Sequence, residues 1–337
     1  MNILCGTDFS QHAAEAADVA ARFAVRLRAP LLLVHVLESN LPGLLSGRQL
    51  DELRRQRQTK LRREAARLRK SGARVEAELL EGSPSAVLAD FAARSQAHLI
   101  VVSSLGIIAP SRWLVGSVAE RVAQSSPVPT LVVRGAAAFR AWAEERRPLN
   151  ILVGSDFSAS SDAALRWVSQ LRKLGPCRIT VASVSCPPQE RHRLGLAGDS
   201  WDSHGEVQKY LERDLRRQCE SMLGDADVGI RVAAAWGRPD PHLLDLARIE
   251  DADLVVVGTN QRHGVERAWL GSVSRGILHH APMSVACIPA SAAEDPASGR
   301  IPVFKRVLVP TDFSPLANQA IPFAYSTLHR GGGVCLL

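Results

Sequence analysis

The sequence has few aromatic residues. Tyrosine occurs twice and aromatics make up 5% of 337 residues, so a surface of stacked rings for single-stranded nucleic acid is not expected. No apolar run approaches the roughly 18 residues of a membrane-spanning helix. The opening residues, MNILCGTDFS, lack the basic and apolar regions of a signal peptide. None of the six cysteines (Cys5, Cys177, Cys186, Cys219, Cys287, Cys335) forms a CxxC pair or a His/Cys cluster with zinc spacing. This pattern fits a reducing cytoplasm, and no membrane association is expected. Neither GxxxxGK(S/T) nor GxGxxG is present, and SGGxDS is absent too. His12 falls in the first turn of an expected helix, and His35 sits inside an expected strand as packing or as a neighbour of the site. His279 and His280 close another helix. None has a repeated partner resembling a general base, so no enzyme is expected, although slow ATP hydrolysis stays open.

The chain is rich in the material of a buried parallel sheet. Hydrophobic residues reach 46%, dominated by Ala, Val, Leu and Ile, against 22% charged residues. The net charge is +7. Much of the excess lies at 51–70, where Arg54, Arg55, Arg57, Lys60, Arg62, Arg63, Arg67, Arg69 and Lys70 face only Asp51, Glu52 and Glu64. This stretch reads as a solvated helix face, and the missing aromatics argue against nucleic acid.

Self-comparison organises the rest. NILCGTDFS at 2–10 returns as NILVGSDFS at 150–158 and RVLVPTDFS at 306–314, placing Asp8, Asp156 and Asp312 roughly 150 residues apart, a domain-sized period. Each full copy continues with an Ala-rich helix (12–28, 160–173), an apolar strand (31–36, 179–184) and a charged helix (about 50–71, 205–223). A short strand and helix follow, then a buried strand within 82–104 and 237–259, a Gly-Ser helix start and a last strand (129–134, 283–289). Strands alternating with helices predict a doubly wound α/β fold. The expected domains are 1–135 and 148–290, with a truncated start of a third at 304–337. The third is read as strand 306–311, helix about 315–328 and a strand beginning at GGGVCLL. The linkers 134–149 and 290–304 carry the Ala, Pro and charge of boundaries.

In such folds ligands bind beyond the carboxyl ends of the strands. After the first strand stand Thr7-Asp8 and Ser155-Asp156. Either aspartate suits a ribose hydroxyl or an adenine amino group, and Asp8 with Ser10 suits a helix cap equally well. After the fourth strand the copies read SSLGIIAPSRWLVGSV (103–118) and GTNQRHGVERAWLGSV (258–273), each ending in a Gly-Ser pair that opens a helix. Amides at a helix start attract phosphate oxygens, while the serine alone would be a plain cap.

These residues resemble the universal stress protein (UspA-like) family over essentially the whole chain. The motifs are GTDFS, LLLVHV, HLIVVSS, VGSVAERVAQSSPVPTLVVR and their second-copy counterparts. ATP-binding members carry G-x2-G-x9-G-(S/T). The resemblance implies a five-stranded parallel sheet of order 3-2-1-4-5 and pairing of two such units about a pseudo-two-fold axis, often through their last strands. A homo-oligomer is a further expectation, and the ligand implied is an adenine nucleotide, ATP with or without Mg2+. Asp8 and Asp156, flanked by Thr7 and Ser155, would meet ribose or base, and Val36 and Val184 would meet adenine through backbone groups. Gly106, Gly116, Ser117 and Val118 would hold phosphates in copy one, and Gly258, Gly271, Ser272 and Val273 in copy two. Ser103 replaces the first glycine of copy one and Gln261 the second glycine of copy two. The second departure is the bulkier, so copy one is expected to hold the working site.

Overall fold

The structure, a computed structural model, describes residues 2–38, 46–106, 115–185, 204–224, 227–235, 237–259, 272–293, 304–309 and 328–336. Copy one contains β1 (Asn2–Gly6), α1 (Gln11–Leu27), β2 (Leu31–Glu38), α2 (Gly47–Arg69), β3 (Val75–Gly82), α3 (Pro84–Arg94), β4 (Ala97–Ser103), α4 (Ser117–Ser125) and β5 (Thr130–Val133). A short helix, α5 (Ala137–Ala143), leads into copy two. That copy contains β6 (Leu149–Gly154), α6 (Ala159–Arg172), β7 (Cys177–Ser185), α7 (His204–Leu223), β8 (Val228–Ala234), α8 (Pro239–Ile249), β9 (Leu254–Thr259), α9 (Ser272–His280) and β10 (Ser284–Pro289).

The strands form one ten-stranded sheet, β3-β2-β1-β4-β5-β10-β9-β6-β7-β8. Within each copy every pairing is parallel and the order is 3-2-1-4-5, as the sequence reading expects. The copies join at β5 and β10, which pair antiparallel with Val132 opposite Val285 and Leu131 opposite Ala286.

Alternating strand residues feed two cores. Ile3 and Cys5 of β1 face one core and Leu4 the other. The first core packs the sheet under α1, α2, α5, α6 and α7. The second packs it under α3, α4, α8 and α9, and both run through the two copies. Helix α1 shows why small residues matter: Ala13, Ala16, Ala17, Ala20, Ala21 and Ala24 are buried and bring its backbone close to the sheet. Four buried or partly buried cysteines, Cys5, Cys177, Cys219 and Cys287, are free thiols. Burial pushes Cys287 up to about 12 and Cys177 and Cys219 to about 11, so they pack as small apolar groups.

One stretch read as a boundary is built otherwise. Residues 137–143 of the first linker form α5, whose Phe139 and Trp142 are buried against Phe23 of α1, with ring centroids 6.0 and 5.5 Å from it. Two aromatics three residues apart share one helical face, a stripe too short to stand out among the surrounding alanines and charges. Arg26 closes the cluster. Its guanidinium stacks 5.6 Å from the Trp142 ring centre and donates to the carbonyls of Leu174 (2.6 Å) and Ala143 (2.7 Å).

The remaining unit is described by itself. β11 (Phe304–Val309) pairs parallel with β12 (Leu328–Leu336). β12 starts three residues before the expected strand, because its glycines lie inside the strand rather than at its edge. The expected helix and Asp312 lie outside the described residues.

Truncating Trp142 leaves a cavity where α1, α5 and copy two meet. Trp142→Ala is expected to cost about 3–5 kcal/mol, read as a lower urea midpoint, whereas a loosely tethered linker would show no change.

Candidate functional site

In copy one the site grows out of the end of β1. The Thr7 amide donates to Val34 O (2.9 Å), the last rung between β1 and β2, and the chain turns at Phe9, which sits at φ 66. Thr7 Oγ1 accepts from Phe9 N (3.1 Å) and Asp8 Oδ1 from Ser10 N (2.9 Å). Ser10 then caps α1, accepting from Ala13 N at 3.1 Å. The cap is therefore Ser10, and Asp8 braces the turn through one oxygen. Its other oxygen, Oδ2, lies against Gly106, where an added Cβ would stand 2.9 Å away.

The β4 loop closes on the same point. The Ser103 hydroxyl donates to Leu105 O (2.9 Å), and Gly116 N donates to Ser104 O (2.7 Å), pinning the start of α4 to the end of β4. A Cβ on Gly116 would meet Gly106 N only at 3.7 Å and Ser104 O at 3.5 Å, ordinary contacts. Gly116, not Ser117, is the N-cap of α4. Its backbone is extended, and as a glycine it has no side chain with which to cap the first turn. The protein's own packing therefore does not demand a glycine here. Ser117 is exposed and Val118 half-buried on the first turn. Val36 lies two residues beyond Val34 on β2, so its backbone groups are directed to the same side, past the end of β1. Thr7, Asp8, Val36, Ser103, Gly106, Gly116, Ser117 and Val118 thus gather at the carboxyl ends of β1, β2 and β4. Residues 107–114 of the loop lie outside the described residues.

Copy two repeats the plan with different fittings. Phe157 has φ 59, and Asp156 Oδ1 accepts from Ser158 N at 3.1 Å. Asp156 is exposed, while Ser155 is buried and donates to Gln218 Oε1 of α7 at 2.7 Å. Gln218 Nε2 in turn donates to Asp162 at 2.7 Å. Val184 occupies the position of Val36. Gly258 packs so tightly that an added Cβ would run into the backbone of Ser160. Arg238 grips the buried Asp240 with both nitrogens (2.9 and 3.0 Å) and donates to Ser272 O (3.1 Å) at the start of α9, next to Val273. Gly271 and Gln261 lie outside the described residues. Gln218 has no local signature, because it meets Ser155 and Asp162 through the fold, while the Arg238–Asp240 pair is local, two residues apart, and reaches across the fold only through Ser272.

The model of the "Universal stress protein family" matches residues 1–134 and 149–289. The chain belongs to the universal stress protein family. It is similar to universal stress protein Rv1996 of Mycobacterium tuberculosis, 30% identical over 235 residues, covering 67% of this chain and 68% of the relative. Universal stress protein Rv2005c of the same organism is 26% identical over 195 residues, covering 56% of this chain and 62% of that one. Among solved structures, a universal stress protein from Archaeoglobus fulgidus superposes with a TM-score of 0.64. It is 18% identical and covers 86% of this chain and 98% of that one, a likeness of fold.

Elsewhere on this universal stress protein the chemistry is sparse. Among the described residues, no group of three or more His, Cys, Asp or Glu side chains could hold a metal ion, and no helix is long and apolar enough to cross a membrane. An open groove of about 490 Å³ lies at the opposite, amino end of β6, β9 and β10. Its Arg147 is already engaged by both oxygens of Asp253 at 2.7 Å.

His35 contributes a pH dependence to copy one. Burial holds its ring below the ordinary histidine range. The bond to Thr7 O and the charge of Asp8 work against that shift, and the charges of Arg57 and Lys60 on α2 add to it. An unfolded chain therefore binds this proton at a higher pH than the folded one. The stability from neutral His35 is complete above about pH 6.5 and is lost as the pH falls through the lower folded value. The stability advantage of wild type over His35→Asn is expected to shrink from pH 7.5 to pH 5 in urea titrations, and a constant difference would contradict it.

Proposed function

We propose that this universal stress protein binds an adenine nucleotide, ATP with or without Mg2+, in copy one, and acts through conformation or partners in the cytoplasm rather than by catalysis. The observation that carries the reading is the meeting of Asp8, Gly106 and Gly116 at the strand ends. A carboxylate faces one glycine, and the other glycine is itself the N-cap of a helix and brings no side chain to that cap. Amides at the start of α4 would receive phosphate oxygens, aided by the helix dipole, and the absence of a Cβ on Gly116 would let them approach. Asp8 with Thr7 would meet ribose, and the Val36 backbone would meet adenine. Ser103, Ser117 and Val118 would complete the wall.

Copy two supports this assignment by contrast. Its Ser155 is occupied by Gln218, and its Gly258 is filled by the backbone of Ser160. Asp156, Val184, Gly271, Ser272 and Val273 are proposed to keep the scaffold of a site without its use. The two copies, 1–135 and 148–290, are proposed to act as an intramolecular pseudo-dimer through β5 and β10, with 304–337 as the start of a third unit. A second reading, a nucleotide-free interaction module of the same fold, is favoured by Ser103 where the motif has glycine.

Equilibrium dialysis separates the readings. Wild type should take up ATP in the micromolar range, and Gly116→Asp should weaken uptake at least about a hundredfold by placing a carboxylate among the phosphates. Thermal melting should leave this variant folded, because a Cβ at Gly116 finds only ordinary contacts. No uptake by wild type would leave the interaction module.

A further inference from the structure

The turn that presents Asp8 is strained. Phe9 holds φ 66, a left-handed conformation that a non-glycine residue adopts only when its surroundings hold it there. The braces from Thr7 Oγ1 and Asp8 Oδ1 both come from within the turn. A third brace comes from a neighbouring strand. His35 Nδ1 lies 2.7 Å from Thr7 O, and its ring centroid is 4.4 Å from that of Phe9. A carbonyl only accepts, so Nδ1 carries the proton and the neutral ring is the Nδ1–H tautomer. His35 is 8% exposed, and the charged groups acting on it are Asp8 of the turn and Arg57 and Lys60 of α2.

Copy two lacks this device. Ser183 stands at the register position of His35, and the equivalent turn is tied through Ser155 to Gln218 instead. The two copies therefore hold the same strained turn from different elements. In copy one the brace comes from β2, the strand whose next residue is Val36.

We infer that His35 is a positioning residue of the copy-one nucleotide site, fixing the Thr7 carbonyl and the Phe9 ring so that the Asp8 carboxylate stays against Gly106. The inference rests on the proposed nucleotide reading for its ligand, but not for its geometry. The Asn side chain places an amide nitrogen where Nδ1 stands, and Leu has the same shape without a donor. His35→Asn and His35→Leu are therefore variants matched in size, of which Asn alone keeps a donor at that point.

Two measurements test it. In nucleotide-free protein, hydrogen exchange at the Phe9 and Ser10 amides should accelerate about tenfold in His35→Leu and return to within about threefold of wild type in His35→Asn. Exchange at Phe157 and Ser158 of copy two should not change. In titrations with ATP, His35→Leu should bind about tenfold more weakly, and His35→Asn should recover most of that loss. Unchanged exchange in His35→Leu, or equal defects in both variants, would overturn the positioning role and leave His35 as packing. Wild type without ATP uptake would refute the nucleotide reading, while the exchange data would still decide the role of His35.

Discussion

Antiparallel pairing between β5 and β10 ties Leu131 and Val132 to Ala286 and Val285. Each of these strands is the outer member of its own parallel set, and an uncovered edge of this kind is a template for unwanted pairing. Joining them turns two five-stranded sheets into one of ten, lets both cores run without a break, and fixes where everything else lies. Because the strands of copy two run opposite to those of copy one, their carboxyl ends point to opposite ends of the sheet. The two candidate sites open there, at opposite ends of the sheet, with the junction between them. It is polar as well as apolar. Arg134 donates to Leu278 O at 3.1 Å, and Glu120 of α4 stands 3.2 Å from Arg275 and 3.0 Å from His279 of α9. The His279 contact is an ion-pair distance without hydrogen-bond alignment. Burial pushes the Glu120 carboxyl up, but His279 and Arg275 outweigh it and hold the group below the usual carboxylate range. Half-exposed pairs of this kind add little to stability. The buried strands and the Phe23–Phe139–Trp142 cluster supply the main adhesion.

Within that frame the copies have diverged in linked pairs. Copy two places the buried Asp240 where copy one has Ser85. It answers with Gly276 inside α9, since a Cβ there would collide with the Asp240 carboxylate, while copy one carries Arg121 at that place. Ser103 in copy one corresponds to Gly258, which in copy two is pressed against the backbone of Ser160. His35 corresponds to Ser183, and the lost brace is replaced by Gln218. A glycine in copy two that matches the family motif can thus answer an internal packing demand, whereas Gly116 in copy one answers none.

Much of this was legible in the sequence because the repeat is local. Nearly identical strand-turn signals around Asp8 and Asp156, and continuous apolar runs such as LIVV, report directly on burial and turn chemistry. The strand order followed from family resemblance, since periodicity carries no information about which strands are neighbours. The linker helix was hidden because its two buried aromatics form a stripe of a single turn. Gln218 and the His35 bond to Thr7 were hidden because their partners are remote in sequence, as is the Ser272 carbonyl that Arg238 reaches. The left-handed turn residues were hidden too, since a phenylalanine at φ 66 violates local preference and is held there by its surroundings.

Copy one, and not copy two, is proposed to take a nucleotide. Native mass spectrometry of freshly purified protein, alone and with added ATP, counts bound nucleotide per chain directly. Saturation at one nucleotide per chain is expected. Saturation at two would contradict the inequivalence of the copies, and none at all would contradict the site itself.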